Sequence, residues 1–237
     1  MDYTYLNENV RSIKEKITAA ALRVGRDAQS VTLMSAVKSA DAEEINYIHK
    51  VLGIHDVGEN RVQQLLERWE KLDREGLRMH FIGSLQTNKV KYIIDKVYMI
   101  HSLDSDRLAA EIDRQAAKHG LTANVLVEIN SGGEESKGGI APEEAAEFCL
   151  SLAKYKSIRL CGFMTMAPFS EDPEDSRPFF RRLRELRDEM EKRFSVRLPR
   201  LSMGMSGDFA DAIAEGATLV RVGTALFGPR PPMGAPR

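Results

Sequence analysis

The chain alternates short apolar runs with longer amphipathic stretches. Residues 3–25 carry Leu6, Val10, Ile13, Ile17 and Ala21 at helical spacing, which predicts an N-terminal helix with one apolar stripe. Thr32 to Val37 is nearly continuous and apolar, as a strand covered on both faces must be. A helical stretch, Asp41 to Leu52, follows it. The pairing then recurs. Short runs at His55–Gly58, Met79–Gly83, Tyr98–Leu103, Asn124–Asn130, Ile158–Met166, Arg200–Gly204 and Thr218–Gly223 alternate with helical patterns over 60–75, 86–96, 105–119, 142–155, 174–194 and 207–215.

Such alternation predicts a parallel sheet with helical crossovers. Eight strand candidates within 237 residues favour a single α/β domain, a (β/α)8 TIM-type barrel with an extra N-terminal helix, over an open doubly wound sheet. That domain is expected over 1–230, and the Pro- and Gly-rich end, 231–237, reads as a flexible tail.

Composition narrows the function classes. With 34 Lys and Arg against 35 Asp and Glu, the net charge is -1, which excludes a generally basic nucleic-acid binder. No apolar run approaches the roughly 18 residues of a membrane span, and no secretory signal is visible after Met1, so a cytoplasmic protein without membrane contact is expected. The two cysteines, Cys149 and Cys161, have neither CxxC spacing nor companions for a disulfide framework or a zinc site, and no metal site is expected.

In a barrel the chemistry belongs at the C-terminal ends of the strands. Lys38 ends the first run, with Met34 and Ala36 on the same alternating face. Apolar neighbours below such a lysine would disfavour its ammonium form and leave an amine able to attack an aldehyde. The competing reading is a surface lysine closing a strand. Arg221 is the one charge inside Thr218–Gly223. It needs either an acidic partner or, from the rim, an anion or ring acceptor for its guanidinium fork. The loops Ser202 to Asp208 and Gly223-Thr224 follow the seventh and eighth runs, where barrels often hold phosphate. Ser206 is placed there to donate to a phosphate or simply to cap the following helix. His80 falls within the third run and reads as a buried, hydrogen-bonded residue, and no HExxH or Ser/His/Asp pattern supports a hydrolase. Neither Walker nor GxGxxG spacing is present, which excludes a nucleotide fold.

These motifs carry a resemblance. Lys38, His55-Asp56-Val57-Gly58-Glu59-Asn60, His80 to Lys89, Ser136 to Ile140, Gly162 to Met166, Leu201 to Ser206 and Arg221 to Gly228 resemble, in order, the pyridoxal phosphate homeostasis protein family. The resemblance implies the barrel of the alanine racemase N-terminal domain (PLP fold type III) without that enzyme's β-rich second domain. It implies pyridoxal 5′-phosphate (PLP) held covalently as a Schiff base on Lys38. Ser206, Gly223 and Thr224 match phosphate-binding positions, Arg221 matches the arginine facing the pyridine nitrogen, and Asn60 falls in a motif lining the site. Two departures stand out: Ala40 and Asp41 occupy the positions where the family commonly has a second lysine and a proline, and Met79 stands where tryptophan is common.

The function so implied is intracellular PLP homeostasis, a carrier that buffers the aldehyde and supplies it to PLP-dependent apo-enzymes, with no catalytic residues assigned and a monomer or weak dimer as its state. The alternatives are a PLP-dependent amino-acid racemase and a phosphate-binding barrel enzyme that uses Lys38 on a sugar aldehyde. An arginine, with a pKa above about 12, cannot readily protonate the ring nitrogen, so the resemblance implies a weak electron sink suited to storage.

Overall fold

The computed structural model describes residues 3–133, 138–168, 170 and 172–228. The 231–237 tail and the Ser136-Lys137 part of one motif lie outside the described residues. Eight strands, β1 (Thr32–Ala36), β2 (Asp56–Glu59), β3 (Arg78–Phe81), β4 (Met99–Leu103), β5 (Ala123–Glu128), β6 (Ile158–Met164), β7 (Arg200–Ser202) and β8 (Leu219–Val222), pair in sequence order. Each pair is parallel, and β1 pairs with β8, which closes the barrel.

Helices cover the outside: α1 (Thr4–Arg23), α2 (Ala42–Lys50), α3 (Val62–Trp69), α4 (Asp106–Lys118), α5 (Ala145–Ser151), α6 (Arg177–Phe194), α7 (Phe209–Ala214) and α8 (Thr224–Phe227). The stripe read for α1 is the one it buries: Leu6, Val10, Ile13, Ile17 and Ala21 are all in the core. It packs against α7 and α8, beside the β8–β1 closure. Among the described residues no helix is long and apolar enough to cross a membrane.

Three local outcomes differ from the sequence reading. The stretch 86–96 is not an α-helix; Thr87–Tyr92 forms a 3-10 segment followed by turns, with Val90, Ile93 and Ile94 buried. A 3-10 segment rises ~2.0 Å per residue against ~1.5 Å for an α-helix, so it carries a short crossover further. The 142–155 stretch is α only over Ala145–Ser151 and tightens to 3-10 over Leu152–Lys154. The four-residue α8 is too short for periodicity to announce.

Asp41, one of the two family departures, has a structural task. It caps α2 by accepting from the Glu44 N–H, while Glu44 accepts from the Asp41 N–H, a complete capping box. Ala40 beside it is buried.

The barrel lumen is mixed. Met34, Ala36, Ile82 and Leu219 form one apolar cluster, and Met99, Leu126 and Met164 another. Alternation along the strands then places Asp56 with Gly58, His80 with Ile82, His101 with Met99 and Arg221 with Leu219 on the inner face. Each of these four polar residues is buried.

Candidate functional site

Lys38 lies in the turn that leaves β1 and is exposed. Of the two readings open from the sequence, the fold gives the exposed lysine that closes a strand, because β1 ends at Ala36 and Lys38 already stands beyond the packed layer. The turn is anchored from below. Arg68 of α3 donates to the Val37 carbonyl at 3.1 Å and to Glu59 Oε2 at 2.6 Å. Glu59, at the end of β2 and 1% exposed, in turn accepts from the N–H groups of Asn60 (2.7 Å) and Arg61 (3.2 Å). One partly buried ion pair therefore sets both the Lys38 turn and the half-buried Asn60. Gly83 completes this corner: a Cβ there would lie 2.2 Å from the Asn60 carbonyl oxygen, so only glycine lets the β2 and β3 loops meet.

Arg221 sits beside Met34 in the β8–β1 register, on the strand adjacent to the one that Lys38 follows. It is buried, and its fork is divided between neutral acceptors: Nη1 donates to Ser202 Oγ at 2.7 Å and Nη2 to the Thr165 carbonyl at 2.9 Å. The acidic partner considered from sequence is not at contact distance among the described residues. Burial pushes the guanidinium down to about 10, against the pull of Asp208 and Glu128, so it remains charged at neutral pH.

Of the two roles open to Ser206 from the sequence, phosphate donor or cap of α7, the second does not hold. Its hydroxyl does not cap α7, whose N-cap is Asp208. Instead it accepts from the N–H groups of Gly223 (3.3 Å) and Ala225 (3.2 Å), at the start of α8. Gly223 is buried and its backbone presses against β1; a Cβ there would lie 2.9 Å from the Ala36 carbonyl oxygen. Thr224 is exposed at the first position of α8. The fold thus brings Ser206, Gly223, Thr224 and Arg221 to one sector of the C-terminal rim, on the β7 and β8 side, next to the Lys38 turn. Asn60 lies on the other flank of that turn.

Glu128 on the rim was not singled out from the sequence, and Ser202 was read only as the start of the phosphate loop. Glu128 closes β5 on the face of the buried Leu126; burial and the nearby Asp104 push its carboxyl up to about 7, against the pull of Arg221. Ser202, buried at the end of β7, joins Arg221 to His101. A polar residue at an inward strand position was the available signal for both.

The donors assembled here are an exposed amine, a charged buried guanidinium and backbone N–H groups gathered on a hydroxyl. They match an aldehyde, a ring acceptor and a phosphate, so the residues present fit PLP.

The fold and rim define a barrel of the alanine racemase class: the family described as alanine racemase, N-terminal domain, matches residues 2–231. Within that class, the chain belongs to the pyridoxal phosphate homeostasis protein family. The protein of that description from Aquifex aeolicus is 48% identical over 223 residues, covering 94% of this chain and 97% of the relative. The crystal structure of an unknown protein from Bifidobacterium adolescentis superposes with a TM-score of 0.89 at 36% identity, covering 96% of this chain and 97% of that one. PipY of Synechococcus elongatus, solved with PLP bound, superposes with a TM-score of 0.78 at 32% identity, covering 91% of this chain and all of PipY (100%).

Proposed function

We propose that this protein holds PLP through a Schiff-base linkage to Lys38 and serves intracellular PLP homeostasis, buffering the aldehyde in the cytoplasm and passing it to apo-enzymes. The observation that carries this reading is the adjacency of the Lys38 turn, the Arg221 guanidinium and the Ser206–Gly223 contact on one sector of the rim. The relative solved with PLP supports it. Bound PLP supplies an aldehyde that condenses reversibly with an amine.

Each residue has a distinct task in this reading. Lys38 provides the amine from an exposed turn, where incoming and departing cofactor both have access. Ser206 and the N–H groups of Gly223 and Ala225 receive the phosphate, with Thr224 adding a hydroxyl. Arg221 faces the ring nitrogen and, because it keeps its own proton, leaves that nitrogen unprotonated. Asn60 lines the opposite side of the mouth.

Borohydride reduction of the PLP-loaded protein followed by peptide mapping tests the assignment. The expected pyridoxyl adduct is on Lys38, and Lys38→Ala is expected to lose the visible absorption of the bound cofactor while keeping its fold. An adduct on Lys50 or Lys89 in its place overturns it.

A further inference from the structure

A hydrogen-bonded chain of side chains crosses the inside of the barrel. At its lower end, Asp56 opens β2 and meets Arg78, which opens β3 and donates through Nε to Asp56 Oδ1 at 2.9 Å. His80 Nε2 lies 3.0 Å from the same oxygen. His80 Nδ1 lies 2.9 Å from His101 Nε2, and His101 Nδ1 lies 3.0 Å from Ser202 Oγ. The last link is the 2.7 Å bond from Arg221. The His101–Ser202 link spans the lumen, since β4 and β7 are not neighbours in the sheet.

The ends of this chain dictate its direction. A guanidinium can only donate, and an ionised carboxylate can only accept. Asp56 therefore takes the proton of His80 Nε2, and a neutral His80 is left with Nδ1 as the acceptor for His101 Nε2–H. A neutral His101 in turn offers Nδ1 to the Ser202 proton, which leaves the lone pairs of Ser202 Oγ for Arg221. With both imidazoles neutral, every donor points down the barrel, from the charged arginine to the charged aspartate.

The surroundings agree with two neutral imidazoles. Burial lowers both histidines below their ordinary range, His101 well below, with Arg221 and Arg200 adding repulsion. Asp56 raises His80 in part, while Arg78 and Arg200 lower it. Burial pushes Asp56 upward, but its bonds to Arg78 and His80 outweigh this and keep it ionised. The Tyr98 ring packs edge-on against His80, with centroids 5.4 Å apart.

We propose that Asp56, His80 and His101 are positioning residues for Arg221, holding the Ser202 hydroxyl in the one orientation that accepts from the guanidinium and so fixing the guanidinium for the ring of a bound pyridine aldehyde. The last clause rests on the function proposed above; the chain itself does not.

Two substitutions at one position separate the links. Asparagine places its oxygen near the site of Nδ1, and glutamine places its amide nitrogen near the site of Nε2. His101→Asn keeps an acceptor for Ser202 and gives up His80. His101→Gln keeps a donor to His80 and gives up the acceptor for Ser202.

The test is side-chain 15N NMR at neutral pH on the ligand-free protein, with PLP titration by absorbance alongside. Wild type is expected to show both histidines protonated on Nε2 only, and separate Nη1 and Nη2 resonances for Arg221. In His101→Gln those two resonances should merge as the guanidinium gains rotation, and PLP affinity should fall by about tenfold or more, the loss of one hydrogen bond to a charged group. In His101→Asn both should stay near wild type. A proton on Nδ1 of either histidine in wild type overturns the chain. Equal behaviour of the two variants, in resonances or in affinity, overturns the positioning role. Wild type that takes up no PLP overturns the function proposed above, while the tautomers still decide the chain.

Discussion

The hydroxyl of Ser206 accepts the backbone N–H of Gly223 at 3.3 Å, which ties the loop leaving β7 to the loop leaving β8. Of the two readings of this serine, phosphate donor or cap of its own helix, the cap falls on the next helix. It gathers the N–H groups of Gly223 and Ala225, the donors a phosphate requires. Ser206→Ala is expected to lower PLP affinity by about ten- to a hundredfold, the loss of one charge-assisted hydrogen bond. Unphosphorylated pyridoxal should bind wild type and variant almost equally. Titration by absorbance measures all four constants. If pyridoxal weakens as much as PLP, Ser206 organises the rim without touching phosphate.

Glu128 makes the fold sensitive to alkali. Its carboxyl is raised by burial and Asp104 to about 7 from an ordinary 4.5. The unfolded chain loses this proton first. The stability gained from the neutral form is therefore complete below about 4.5 and lost as pH rises through about 7. Glu128→Gln removes the penalty, so the variant should be more stable than wild type at pH 8, by up to about 3 kcal/mol. Urea unfolding at pH 5 and pH 8 checks this. An advantage that does not grow with pH rules out the buried acid.

The two lumen histidines act with the opposite sign. Burial lowers both, so the unfolded chain takes up protons near pH 6.5 that the folded chain refuses. Their stabilising effect is present above about 6.5 and is lost as pH falls below it. Because Glu128 opposes this between 4.5 and 7, the measurement belongs in the Glu128→Gln background. There the urea midpoint should decline steadily from pH 7 to pH 5, and His101→Asn should flatten the decline. A midpoint unchanged across that interval contradicts two neutral buried imidazoles.

Amino-acid racemisation is expected to be negligible. Arg221 stays charged, since burial brings it down only to about 10. In the function proposed above its guanidinium faces the ring nitrogen and leaves the ring a weak electron sink, and no strand among the described residues ends in a tyrosine that could serve as an opposing base. Incubation of PLP-loaded protein with L-alanine, followed by chiral analysis, should give no D-isomer at ordinary enzymatic rates of about 1–1000 per second. Robust D-alanine formation refutes the carrier reading.

Much of this protein was legible in its sequence. The eight alternations and the α1 stripe of Leu6, Val10, Ile13, Ile17 and Ala21 depend on periodicity, which burial on a helix or strand imposes directly. Lys38 was visible because it ends an apolar run, Arg221 because it is the one charge inside one, and the glycine- and serine-bearing loops because they follow the seventh and eighth runs. The partners of those residues were not. Asp56, His80, His101 and Ser202 come from four different strands, and no spacing along the chain relates His101 to Ser202. That Lys38 would be exposed, that Arg221 would divide its fork between a hydroxyl and a carbonyl, and that Ser206 would serve α8 were settled by closure of the barrel. The physical reason is one of range. Side-chain periodicity acts within a turn or two of backbone, whereas hydrogen bonds across a lumen form only once β1 has met β8 and water has been driven out between them.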